Sequence, residues 1–209
     1  MENILAGDAS AERDIFDVLK EIGAFQEGHF ILSSGLHSSA YIQCALVMKN
    51  PKIAGDICSR LAKKISSYLE TNKKKIDICL SPAMGGIIVG YEVARQLGVE
   101  SVFAERDSSS GALQLRRSFT IPPKARVLIV EDVVSTGISA HECVLLAENC
   151  NAKVIAVASI IDRSQKNSLK LSIPLISLIK INAPFYSKKE IPQWLHDISA
   201  IKPGSRKKV

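Results

Sequence analysis

A chain of 209 residues, 46% hydrophobic and 23% charged, is long enough for one domain with a sizeable core and has an ordinary globular composition. No apolar run reaches the ~18–20 residues of a membrane span, and the acidic start MENILAGDASAERD has no basic region before an apolar stretch, so neither a membrane segment nor a secretory signal is expected. The net charge is +6, but Lys202, Arg206, Lys207 and Lys208 of the tail supply four of those charges, and with 5% aromatics no base-stacking surface is expected.

Residues 9–22 read as an amphipathic helix with Ser10 at its cap. HFILSSGLHSSAYIQCALV (29–47) holds two short β-like pieces around a Ser/Gly/His loop, where His37 is either a ligand contact or a surface histidine. A second helix runs from Pro51 to about Leu69, and Lys73 to Lys75 mark a surface turn. IDICL (76–80) is a strand, and GGIIVGYEVARQLG (85–98) is a helix stopping at Gly98. SVFA (101–104) is a strand, and 105–119 is a polar loop running into a β arm. VLIV (127–130) is the next strand, ending on Glu131 and Asp132, with a helix over about 137–149. VIAVASII (154–161) and LISLI (175–179) are strands. The five scattered cysteines form no CxxC and fit buried thiols in a reducing cytoplasm.

Apolar strands alternating with helices point to a parallel sheet covered on both faces. Such sheets bind ligands beyond their C-terminal strand ends. SPAMGG, AERD, EDVVSTG and IDRS all fall on that edge. Two adjacent carboxylates at a strand end suit the vicinal hydroxyls of a ribose. Ser135, Thr136 and Gly137 at a helix N-terminus suit a phosphate. The plainer reading makes Asp132 a helix cap. The whole run, with its acids and its Ser-Thr-Gly in this order, favours a ribose 5-phosphate site.

VLIVEDVVSTG resembles the phosphoribosyl-pyrophosphate signature of type I phosphoribosyltransferases. LSSGLHSSAYIQCALV, SPAMGGIIVGYEVARQLGV, FAERD and IDRS follow in the order expected of the orotate phosphoribosyltransferases, and the resemblance covers most of residues 10–165. It implies a doubly wound, mainly parallel α/β sheet forming a single phosphoribosyltransferase domain over 1–209. Residues 1–50 would be an N-terminal helix and hood over the base, with a β arm and flexible loop; from its composition alone, the basic run at 200–209 reads as a solvated, disordered tail. The resemblance also implies a cytoplasmic homodimer with shared active sites, acting on orotate and phosphoribosyl pyrophosphate in pyrimidine biosynthesis.

The resemblance further assigns roles. Glu131, Asp132, Val133, Val134, Ser135, Thr136, Gly137, Ile138 and Ser139 would hold the ribose phosphate. Ala83, Met84, Gly85 and Gly86 would cradle pyrophosphate. Ser135, Arg163, Tyr41 and Ser33 would meet orotate, Arg163 through its carboxylate. The plainer reading of Arg163 is a surface ion pair. Magnesium would arrive with the substrate phosphates, with no protein-built metal site. Two departures stand out. Gly85 stands where many relatives have Lys, and the loop AERDSSSGALQLRR lacks the usual Lys and His, leaving Arg106, Arg116 and Arg117 to act with Glu131 and Asp132 in catalysis or to line a β arm. A purine phosphoribosyltransferase, or a regulator of this fold that binds nucleic acid, remain the alternatives.

Overall fold

The computed structural model describes residues 9–32, 34–164 and 171–203, with side chains from Ile15 onward. In chain order the elements are α1 (Ala9–Glu21), β1 (Phe25–Ile31), β2 (His37–Ile42), α2 (Ala45–Met48), α3 (Pro51–Thr71), β3 (Ile78–Pro82), α4 (Gly85–Leu97), β4 (Glu100–Arg106), β5 (Leu113–Leu115), β6 (Arg126–Val134), α5 (Ile138–Asn149), β7 (Lys153–Asp162), β8 (Leu175–Lys180), β9 (Phe185–Tyr186) and α6 (Gln193–His196). They form two compact units, one from Met48 to Lys180 and one from the two ends, Met1–Val47 with Ile181–Val209.

The larger unit is a six-stranded sheet in the order β5-β4-β3-β6-β7-β8. Every neighbouring pair is parallel except β4 with β5. Its helices start and stop where the local chemistry allows. Asn50 Oδ1 accepts the N–H groups of Lys52 (3.1 Å) and Ile53 (3.4 Å), and Pro51 opens the first turn of α3. Gly98 ends α4 at φ 68°, a left-handed conformation that other residues resist.

Along a strand, successive side chains face opposite sides. Ile78, Leu80, Val127, Ile129 and Val157 form one core with Ala140, Cys143, Val144 and Ala147 of α5. Gly86 and Gly90 of α4 instead lie against Ser81 and Val130, the intervening positions, so α4 and α5 cover opposite faces. The arrangement is doubly wound, as the alternation of elements implies. Burial on both faces explains why β6 and β7 read as near-continuous apolar runs, each enclosed Leu or Ile contributing about 1.5–3 kcal/mol.

The smaller unit pairs β1, β2 and β9 in an antiparallel sheet. Ile201 bridges to Phe30, its N–H donating to His29 O and its carbonyl accepting from Ile31 N–H, both at 2.8 Å.

Several sequence expectations change. Helix α1 already includes Ala9, so Ser10 lies inside it rather than capping it. Strand β6 does not end before the acids: Val133 and Val134 still pair with Ile161 and Asp162, which places Glu131 and Asp132 within the strand. The stretch 105–119 contracts to a hairpin, because β4 runs on to Arg106 and pairs with β5. Asp107 shapes its turn, accepting the N–H groups of Ser109 (3.0 Å) and Ser110 (2.9 Å) and both serine hydroxyls. His37 is buried in a strand, not exposed on a loop. Ser33 and tail residues 204–209 lie outside the described residues.

Candidate active site

Because the central strands are parallel, β3, β4, β6 and β7 all deliver their C-terminal ends to one edge of the sheet. Four segments meet there: the turn after Pro82, Arg106, residues 131–139 and Arg163.

The acids are the centre. Glu131 is buried, and its carboxyl is pushed up to about 8, first by burial, then by the charge of Asp132, with Arg106 pulling the other way. Burial also raises Asp132, against the backbone hydrogen bond from Val133 N–H (2.8 Å). Asp132 is therefore no helix cap. The N-cap of α5 is Gly137, at φ 75°, with no side chain closing the first turn. Amides at such an end favour an anion. Thr136 and Ile138 are exposed beside it.

Asp132 also reaches the turn after β3. A Cβ placed on Gly85 would stand 2.6 Å from Asp132 Oδ2 and 2.9 Å from Cγ. A larger residue here would require the Asp132 carboxylate to move, so glycine at 85 and the present position of Asp132 go together. Within the turn, the Ala83–Met84 peptide is cis, and Ala83 N–H is spent on Ala104 O (2.7 Å).

Arg163 follows β7. Its N–H donates to Val134 O (2.9 Å), tying it to the end of β6, and its side chain is 5% exposed, so the surface ion-pair reading fails. Burial holds its pKa down at about 10. A guanidinium at this edge of the sheet suits an anionic ligand such as a carboxylate. Tyr41, of the smaller unit, accepts a hydrogen bond from Gln43 (3.1 Å) and lies near Phe30.

The three arginines of the loop are each engaged. Arg116 pairs with Asp107 (2.5 Å). Arg117 pairs with Glu105 (2.8 Å) and stands over the Phe103 ring, a β-arm role. Arg106 pairs with Glu142 of α5 (2.6 Å) and is the one whose charge is felt by Glu131. Glu142 went unnoticed in the sequence because an acid on a helix reads as a solvated face. So did His29, whose Nε2 lies 2.6 Å from His37 Nδ1 while its Nδ1 lies 2.9 Å from Ile198 O.

A phosphoribosyl transferase domain matches residues 48–189. The orotate phosphoribosyltransferase of Sphingopyxis alaskensis is 45% identical over 183 residues, 88% of this chain and 91% of that protein. That of Carboxydothermus hydrogenoformans is 42% identical over 93% of this chain and 98% of its own length. The chain belongs to the orotate phosphoribosyltransferase family. A crystal structure of the Aeropyrum pernix orotate phosphoribosyltransferase shares its fold, with a TM-score of 0.63 at 24% identity over 78% of this chain and 92% of that one. In this orotate phosphoribosyltransferase family member the matched domain contains every part of the edge just described. Segments 83–86, 131–139 and 163 lie within it, as do the loop arginines.

Proposed function

We propose that this chain transfers ribose 5-phosphate from phosphoribosyl pyrophosphate to orotate, giving orotidine 5′-monophosphate and pyrophosphate in pyrimidine biosynthesis. The observation that carries the residue roles is the meeting of Asp132 with the turn at Gly85, which joins a diol acceptor to a phosphate cradle.

In this reading the bond from ribose C1 to pyrophosphate breaks and a bond from C1 to a ring nitrogen of orotate forms. The transition state resembles an oxocarbenium ion. Little nucleophilic help is needed from the protein, and positioning and charge neutralisation carry the rate. Glu131 and Asp132 accept the ribose hydroxyls. Residues 135–139 hold the 5-phosphate, and Met84 to Gly86 hold pyrophosphate. Arg163 takes the orotate carboxylate, and Arg106 neutralises the leaving group. A buried and a half-buried carboxylate, both with raised pKa values, form a hard oxygen-donor set that a magnesium ion brought by the substrate would relieve; bound there, it would offset pyrophosphate charge.

A homodimer is part of the same reading. Met84, at the N-cap of α4, and Ile88 and Tyr91 within it are spaced i, i+4 and i+7 and are 80%, 54% and 63% exposed, an apolar stripe suited to a second copy. Among the described residues no helix is long and apolar enough to cross a membrane. The compartment proposed is the cytoplasm, where the cysteines stay reduced.

The test mixes protein, orotate, magnesium and phosphoribosyl pyrophosphate and follows the loss of orotate absorbance. Loss that requires all components supports the reading. No loss with orotate, alongside consumption of adenine or guanine, overturns it in favour of a purine enzyme.

A further inference from the structure

Arg106 leaves β4 at the functional edge and is held by three contacts. Nη1 donates to Gly111 O (2.8 Å) and to Glu142 Oε1 (3.2 Å), and Nη2 donates to Glu142 Oε2 (2.6 Å). The two terminal nitrogens thus form a fork on one carboxylate. Those are the same donors that a pyrophosphate oxygen pair would need.

The partners of the other arginines differ in origin. Asp107 and Glu105, which take Arg116 and Arg117, belong to the β4–β5 hairpin itself. Glu142 comes from α5, the helix whose first turn is the proposed phosphate cradle. It ties the hairpin to the body of the unit through a side-chain ion pair. The pair is half-open to solvent, with side chains 47% and 33% exposed. Such pairs are weak, and an anion of higher charge displaces them.

We infer that Glu142 is a positioning residue: a resting-state latch that occupies the Arg106 fork until pyrophosphate charge replaces it, and that recaptures Arg106 as pyrophosphate departs. This rests on the reading that Arg106 neutralises pyrophosphate. The latch lowers affinity for the leaving group, which limits product inhibition, and it keeps the arginine next to the site rather than in bulk solvent. No bond is made or broken; one ion pair exchanges for another.

The experiment measures magnesium pyrophosphate binding by calorimetry on the intact protein, in wild type, Glu142→Gln, Arg106→Ala and the double variant. Melting curves confirm that each is folded. Releasing an exposed ion pair of this kind should tighten pyrophosphate ~2- to 5-fold in Glu142→Gln, with the orotate KM unchanged. Arg106→Ala should weaken binding, and adding Glu142→Gln to it should change nothing further. Tightening that persists in the Arg106→Ala background would mean that Glu142 acts through its general field, and the latch is overturned. Unchanged binding in Glu142→Gln with weakened binding in Arg106→Ala also overturns the latch, while leaving the role of Arg106 intact. Unchanged binding in Arg106→Ala removes the role of Arg106 and the latch with it.

Discussion

Asp132 sits so close to the backbone of Gly85 that a single methyl group there would collide with its carboxylate, at 2.6 Å from Oδ2. Gly85 is exposed and opens a helix, with no left-handed φ, where alanine stabilises by about 0.4–1 kcal/mol through reduced freedom of the unfolded chain. Stability and activity should therefore part company. In Gly85→Ala we expect an unchanged or higher melting temperature and turnover reduced ~10²-fold, the scale of an ångström's misplacement in a site. A fully active Gly85→Ala enzyme would show that Asp132 need not stay where it is.

Asp132→Asn should lower turnover by ~10²-fold or more. It should leave stability equal or improved, because burial already disfavours the charged carboxylate. Steady-state kinetics with a denaturant melt on the same preparation check both halves. A large loss of stability would make the residue structural.

Glu131 gives a pH dependence with a definite sign. Its carboxyl is raised from 4.5 to about 8 in the folded chain, so the folded state keeps a proton that the unfolded chain releases. Its contribution to stability is present below about pH 4.5 and is lost as pH rises towards 8. Urea unfolding between these values should show wild type weakening relative to Glu131→Gln. Parallel curves for the two proteins would contradict it.

Arg163→Ala should raise the KM for orotate ~10- to 100-fold, the cost of a charge-assisted contact of about 1.5–3 kcal/mol. The KM for phosphoribosyl pyrophosphate should hardly move. Equal weakening of both substrates would mean that the buried guanidinium props up the end of β7 instead.

His37 acts in the opposite direction to Glu131. The carbonyl of Ile198 accepts from His29 Nδ1–H, so the neutral ring has Nε2 free to accept from His37 Nδ1–H. Burial, then the charges of His29, Lys188 and His196, hold His37 below its usual 6.5. The unfolded chain therefore takes up the proton first, and stability present above about 6.5 is lost as pH falls. Thermal melts from pH 7.5 to 5.5 (roughly a unit either side) should show this fall in wild type and a smaller one in His37→Asn, which keeps a donor but cannot titrate.

The larger unit was readable because its strands are buried on both faces and announce themselves as apolar runs. What the sequence hid follows from equally local causes. Glu131 and Asp132 interrupt the apolar pattern, so β6 seemed to stop although Val133 and Val134 continue it. Two-residue β9 and four-residue α6 are too short for any periodicity. His29 lies among Phe30, Ile31 and Leu32, where nothing marks it as the partner of a residue eight positions on. Gly85 stands out in the sequence as a departure, but only a folded chain shows the Asp132 carboxylate that lies against it. The loop arginines were found by composition; their carboxylate partners, set by the hairpin register and by α5, were not.

The smaller unit is made from both ends of the chain, and that imposes an order of events at the ribosome. Every strand of the six-stranded sheet lies in one uninterrupted stretch, Met48–Lys180, and can assemble as it emerges. Strands β1 and β2 are made first but lack β9 and the bridge to Ile201 until the last of the chain is translated. At ~5–20 residues per second the wait is on the order of ten seconds. During that interval β1 and β2 have only each other to pair with, while the strands of the larger unit are added one by one up to β8, which ends at Lys180, shortly before β9 is made.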